Sequence, residues 1–250
     1  MIDIFAWPLG KLLKFVYDIM VTVGLDLPRL SAYSLAIIIT TIIFKLLLLP
    51  LTLKQTKSMK NMQEIQPKIK ELNTKYKNDP QTLNQKTMEL YKEHKVNPFG
   101  GCFPLLIQFP IIIAYFRVMQ TAVPYVFSDA AAYDSILRGF LWIKDIAQPE
   151  VIYTLNLGGF NITISILAIL AAITTYFSSK MMAATQPSTE GGQAKSTQAT
   201  MTIMMPLLIL WMGSKYAAGL TLYWTISNLF QMAQQHFTNR SVGKVKEELR

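Results

Sequence analysis

The stretch Ser31–Leu53, SAYSLAIIITTIIFKLLLLPLTL, constrains the fold more than any other. It is apolar and long enough to cross a bilayer, since about 20 helical residues at about 1.5 Å rise cover roughly 30 Å of hydrocarbon. Lys45 lies inside it, a little past the middle. A lysine near the centre of a membrane helix costs roughly 2.5–3.5 kcal/mol on insertion scales. No Asp or Glu in the stretch can pair with it. One reading is that the ammonium snorkels to the nearer headgroups. However, about 12 Å of helix separates Lys45 from Lys54, the first plainly aqueous residue, which is at or beyond the reach of one side chain. The other readings need water or a partner inside the protein. Thr41, four residues earlier, shares the helix face of Lys45.

The rest of the chain fits an integral membrane protein: 51% of its 250 residues are hydrophobic and only 16% are charged. It has a single cysteine, Cys102, so it can form no intrachain disulfide and no Cys-rich metal site. His94 and His236 are far apart in sequence. There is no HExxH, GxSxG, P-loop or GxGxxG pattern, so neither a metal nor a nucleotide cofactor is expected. The absence of Asp and Glu from every apolar stretch removes carboxylate-based proton coupling and intramembrane aspartyl chemistry.

In chain order, residues 1–30 read as an amphipathic segment lying in the membrane interface. Phe5, Leu9, Leu12, Leu13, Val16, Ile19, Met20 and Val23 recur at helical spacing, with Lys11, Lys14 and Asp18 on the other face. Residues 31–53 form the first span. Residues 54–98 then turn strongly basic, with ten lysines against five acids, a net of +5. Met62, Ile65, Ile69, Leu72 and Tyr76 step by three and four, Asn78-Asp79-Pro80 breaks the helix, and Leu83, Thr87, Leu90 and His94 resume the spacing. Two seams joined by a turn predict an antiparallel helical hairpin. The second span covers residues 99–122, with Gly100, Gly101, Pro104 and Pro110 as irregularities and a mid-span Gln108. Residues 123–160 form a loop of net charge −2, in which Ala130–Trp142 is expected as a short surface helix. Residues 161–182 form the third span, 183–198 a Gly/Ser/Thr/Gln-rich linker, 199–213 a short fourth span, 218–236 the fifth, and 237–250 a basic tail. The charge asymmetry places the hairpin and tail in the cytoplasm and the amino terminus outside.

The fifth span carries a polar stripe. Thr221, Trp224, Thr225, Asn228, Gln231 and Gln235 step by three and four residues. Such residues commonly hold helices together through interhelical hydrogen bonds. Combined with a hydrated Lys45 and the amide of Gln108, they also describe a water-containing cavity opening toward the cytoplasm. An anion channel and a docking groove for polypeptide both remain open on this reading. In the groove, the lysine would transiently attract acidic residues flanking a segment in transit.

Three stretches bear on that choice: FKLLLLPLTLKQTKSMKNMQEIQPKIKELNTKY, NPFGGCFPLLIQFPIIIAYFRVM and AAGLTLYWTISNLFQMAQQ. Together they resemble the signature regions of the YidC/Oxa/Alb membrane protein insertases, over most of the chain from Tyr33 to Gln235. The resemblance implies an all-α integral membrane protein, with five transmembrane helices around a hydrophilic groove open to cytoplasm and lipid, and a cytoplasmic hairpin between the first two. It places the groove charge, usually an arginine, at Lys45, the groove threonine at Thr41, the second-span glutamine at Gln108, and an aromatic pair at Tyr223 and Trp224. Asn228 and Gln231 join these as expected groove residues. Lys60, Lys68, Lys70, Lys75 and Lys77 are expected to recruit substrate or partners. The implied function is non-enzymatic insertion and chaperoning of short, singly or doubly spanning proteins in a bacterial plasma membrane. The implied partners are nascent membrane proteins, the Sec translocon, the ribosome and anionic lipids, but not DNA. In lacking a large extracytoplasmic domain the chain resembles the short Gram-positive type; it departs from that type's frequent lipoprotein-signal cysteine and from the long basic tail of ribosome-binding members.

Overall fold

The computed structural model describes residues 3–94, 96, 103–157, 160–183 and 192–248. Within them the chain is largely helical. Helix α1 (Asp3–Thr22) precedes the long α2 (Ala32–Glu64). Next come α3 (Gln66–Lys75) and α4 (Pro80–Glu93), then α5 (Phe103–Gln120) with the short α6 (Ala122–Tyr125) and α7 (Ala130–Asp134). Strands β1 (Tyr153–Leu157) and β2 (Phe160–Ile164) lead into α8 (Ile166–Ala183), α9 (Gly192–Gly213) and α10 (Ala218–Glu248). Among the described residues, α2 alone is both long and apolar enough to cross a membrane by length and composition.

Helix α2 does not stop with the expected first span at Leu53 but continues to Glu64. The residues after Pro50, rich in Lys, Gln, Met and Glu, favour helix and carry it through the change from apolar to basic sequence. The break comes later, at Ile65. Pro67 sits in the first turn of α3, where its missing N–H costs no helical bond, so a new helix starts there. The turn at Asn78–Pro80 ends the pair. Asp79 caps α4 by accepting from the Thr82 N–H at 3.1 Å, and Pro80 follows in the first turn. Met62, Ile65, Ile69, Leu90 and Val96 form the small apolar core of this unit.

Helix α1 packs on α2, α5 and α6. Ala6, Leu9, Leu13 and Val16 are buried there, whereas Phe5, Ile19 and Val23 of the expected apolar face are exposed. Lys14 pairs with Asp18 on the outer side. In the main core, α10 packs against α2, α5 and α8, and α8 against α9.

Four further expectations are corrected. The predicted helix Ala130–Trp142 is only α7, because the residues after it are drawn into tertiary backbone bonds. The third helix starts at Ile166, not Asn161: the FNITI sequence alternates with a period of two and forms β2, paired antiparallel with β1. The predicted linker is partly helical, since α9 starts at Gly192; its residues 184–191, like Gly100 and Gly101 of the second span, lie outside the described residues. Helix α10 likewise runs on to Glu248, through most of the predicted tail.

The loop after α7 joins three helix N-termini. The Gly139 carbonyl accepts from both the N–H and the hydroxyl of Ser31, the N-cap of α2. The Gln148 and Ile146 carbonyls accept from the Ala218 and Gly219 N–H groups at the start of α10. Glu150, only 5% exposed, accepts from the Trp142 indole, the Ser165 hydroxyl and the Leu167 N–H at the start of α8. These bonds satisfy orphan helix donors, and the carboxylate lies at the favourable end of the α8 dipole.

Two tests follow. A Cβ at Gly139 would fall 1.8 Å from the Pro28 carbonyl oxygen, backbone that cannot rotate away. Gly139→Ala is therefore expected to destabilise the protein by about 1–3 kcal/mol, read as a lower melting temperature in detergent. Hydrogen bonds from the Thr82 side chain and backbone hold the Asp79 carboxyl below the usual carboxylate range. A depressed folded-state pKa gives stability that is present above the unfolded value and lost as pH falls through the folded one. Amide exchange at the start of α4 is therefore expected to speed up, relative to the α3 amides, on acidification below the ordinary carboxylate range. Asp79→Asn should blunt that dependence.

Candidate functional site

Lys45 lies four helical steps beyond Thr41 on α2, half-buried. Its ammonium donates to Oε1 of Gln108 on α5 at 3.3 Å. The same amide, through Nε2, donates to the Tyr223 hydroxyl on α10 at 2.7 Å. One glutamine thus joins a cation on one helix to a phenol on another. Its carbonyl faces the positive charge and its NH2 faces an acceptor, so both ends of the amide dipole are used. Tyr223 stacks on Tyr115 of α5, with ring centroids 3.8 Å apart. The Tyr115 hydroxyl lies 3.2 Å from Oγ1 of Thr41, which itself donates to the Ile37 carbonyl. The circuit therefore returns to α2. Tyr115, Tyr223 and Thr41 are almost wholly buried.

Tyr115 was not among the expected groove residues. It lies seven residues after Gln108, two helical turns along the same face, and that spacing was its signal in the sequence. Trp224 is half-buried and packs against the main core.

The structure does not bring Asn228 and Gln231 to Lys45. Asn228 donates to Oγ1 of Thr175 at 2.8 Å, and Gln231 to the Met182 sulfur, both on α8. Gln235 continues along the same side, donating to the Met181 carbonyl. The polar stripe of α10 thus joins α10 to α8 by interhelical hydrogen bonds. Gln234, one step round the helix, instead donates to Thr52 of α2 at 2.8 Å.

The expected recruiting lysines are spread over the basic unit. Lys60, on the last turns of α2, donates to the Thr238 carbonyl of α10. Lys68 lies 2.9 Å from Nε2 of His94, bridging α3 to the end of α4. Lys75 sits over the Tyr76 ring. Lys70 accepts from Thr74 through its carbonyl, and Lys77 is exposed in the turn before α4.

Fold and site together define a helical membrane protein with a cation held by neutral groups between three helices. Comparison with known proteins assigns it more closely. The sequence model of the family described as 60Kd inner membrane protein matches residues 27–246. The membrane protein insertase YidC of Clostridium tetani is 39% identical over 209 residues, covering 84% of this chain and 82% of that protein. The YidC of Caldanaerobacter subterraneus subsp. tengcongensis is 36% identical over 243 residues, 97% of this chain and 98% of that one. That of Clostridium acetobutylicum is 44% identical over 223 residues, 88% of this chain and 76% of that one. The chain belongs to the YidC/Oxa/Alb family of membrane protein insertases, which are not catalytic enzymes, and it is a bacterial membrane protein.

The circuit makes a stability prediction. Tyr115→Phe keeps the stack and removes the hydroxyl that meets Thr41, which retains its bond to the Ile37 carbonyl, and is expected to cost about 0.5–1.5 kcal/mol. Gln108→Leu leaves both the ammonium and the Tyr223 hydroxyl without their amide and is expected to cost more. In a double-mutant cycle, Lys45→Met should cancel part of that larger loss. Thermal unfolding in detergent measures each value.

Proposed function

We propose that the chain inserts membrane proteins by offering the Lys45–Gln108–Tyr223 circuit as a temporary polar surface for a segment in transit. The observation that carries this reading is the half-buried ammonium held by a neutral amide. A carboxylate partner would hold Lys45 tightly, whereas an amide leaves its charge uncompensated and available to acidic residues of an incoming flank. Helices α2, α5, α8, α9 and α10 serve as five spans around a hydrophilic groove open to cytoplasm and lipid, and α1 lies in the interface. The amino terminus is outside, the carboxyl terminus is inside, and α3 and α4 form the cytoplasmic hairpin. Lys45, Thr41, Gln108, Tyr223 and Trp224 line the groove. Asn228 and Gln231 come to line it where α10 parts from α8.

The energy for insertion comes from partitioning of the apolar segment into lipid. The groove shortens the path its polar flank must travel through hydrocarbon. Substrates are short nascent membrane proteins with one or two spans, taken alone or beside the Sec translocon. The hairpin lysines Lys60, Lys68, Lys70, Lys75 and Lys77 attract anionic lipid or the ribosome. Relatives that are named insertases over nearly the full length of this chain favour this function over an anion channel.

Photo-reactive residues at Gln108, Trp224 and Asn228, with exposed Leu170 of α8 as control, test the reading during synthesis of a single-span protein. Crosslinks to the nascent span are expected at Gln108 and Trp224 and not at Leu170. Their absence from both would refute the groove. A crosslink at Asn228 as strong as at Gln108 would show that α10 separates from α8 during insertion. In a separate rate assay with an acidic-flank substrate, Lys45→Ala is expected to slow insertion. Lys45→Arg should keep or raise the rate, because guanidinium grips a carboxylate with two bonds. Equal rates for all three proteins would remove the electrostatic role.

A further inference from the structure

The two strands before α8 pair in a register that sorts their residues by polarity. Tyr153 faces Ile164, Leu155 faces Ile162, and Leu157 faces Phe160. In the alternate positions Thr154 faces Thr163, and Asn156 faces Asn161. Cross-strand partners share a side of the sheet, so Tyr153, Leu155 and Ile164 have one parity and Thr154, Asn156 and Thr163 the other. A sheet covering a soluble core turns its apolar side inward and its polar side to water. Here the apolar side is not turned inward: Tyr153 is 59% exposed and Leu155 and Ile164 are each 39% exposed, and on the polar side Thr154 and Thr163 are half-buried and Asn156 is exposed. The neighbouring Val151 and Ile152 are also exposed.

The surroundings point to what covers this side. From Val151 to Ser179 the sequence has no Asp, Glu, Lys or Arg. The run takes in both strands and α8 as far as its last turn, where Lys180 stands. Only Ser165 separates β2 from α8, and Ile166, Ile169, Leu170 and Ile173 of α8 are exposed in their turn. The exposed apolar side chains of the hairpin thus lead into the exposed apolar side chains of a membrane helix. An isolated two-stranded hairpin is marginal in water and needs an apolar surface to lie on. A tyrosine beside aliphatic residues is the composition favoured at the headgroup level.

We propose that the apolar side of the β1–β2 hairpin docks into the lipid leaflet at the amino-terminal end of α8, forming a shallow lipid-binding foot. The occupant is the headgroup–acyl boundary of the bilayer. The foot fixes the depth of α8, and through the Glu150 bonds to Ser165 and Leu167 it fixes the loop that ties α2 and α10 as well. The inference rests on the reading that α8 spans the membrane.

Single cysteines at Leu155, Ile164, Asn156 and Leu170, in a Cys102→Ser background, would carry nitroxide labels. The protein would be reconstituted in phosphatidylglycerol–phosphatidylethanolamine vesicles. All four sites are exposed or belong to exposed surfaces, so the labels are compatible with folding. Collision with oxygen, which concentrates in lipid, is compared with collision with a water-soluble nickel chelate. At Leu155 and Ile164 the chelate is expected to collide severalfold less often than at Asn156, with depths shallower than at Leu170. Chelate accessibility at Leu155 and Ile164 equal to that at Asn156, with Leu170 still protected, would overturn the foot and leave the spanning helix intact. Spin–spin broadening between copies at Leu155 would overturn it in favour of a second copy on that side. A chelate-accessible Leu170 would overturn the spanning reading itself.

Discussion

A charge placed in an apolar helix must be answered by something, and the answer determines how the helices around it sit. In this chain the charge is the Lys45 ammonium, and the answer is an amide on α5. Because that amide also donates to α10, the position of Lys45 fixes two neighbours at once. The tyrosine stack then returns the connection to α2 through Thr41. A carboxylate in place of Gln108 would bind the lysine more strongly and would also neutralise it, leaving little charge for a ligand. Neutral, bifunctional Gln108 organises three helices while leaving the charge largely uncompensated.

Much of this arrangement was legible in the sequence because it depends on hydropathy and on side-chain chemistry. An apolar stretch interrupted by a lysine, the turn at Asn78–Pro80, and the amide in α5 all break a local pattern visibly. What stayed hidden depends on tertiary choice. The α10 stripe has a helical period whichever neighbour it faces, so period alone could not assign Asn228 and Gln231 to α8 rather than to Lys45. Tyr115 resembles the aromatic residues of any membrane helix until its partners Thr41 and Tyr223 are known. Residues 161–164, most of β2, were read as the start of a span because they are apolar enough on average, and β1 was read as loop. The alternation in FNITI was the contrary signal, and averaging over a long window removed it. Pro50 and Pro67 show the same limit from the other side. Both are prolines beside a helix-favouring run, but one is absorbed within α2 and the other opens a new helix.

The two ends of the helix assembly are held differently, and that difference bears on how a polar surface inside it can be used. At the end where α2, α8 and α10 begin, one loop bonds directly to the backbone or caps of all three. Backbone bonds of this kind have short reach and fixed direction, so the three N-termini cannot separate without breaking several together. At the opposite end α2 and α10 run on, to Glu64 and Glu248. There α2 meets α10 through side chains, Gln234 to Thr52 and Lys60 to the Thr238 carbonyl, and α10 meets α8 through Asn228, Gln231 and Gln235. Flexible side chains can exchange such partners for water or for another polypeptide at small net cost, since each bond contributes only about 1 kcal/mol. The circuit around Lys45 lies between a fixed end and an exchangeable one. In an assembly built this way the end joined by side chains separates at lower cost than the end tied by the loop, where several backbone bonds must break together.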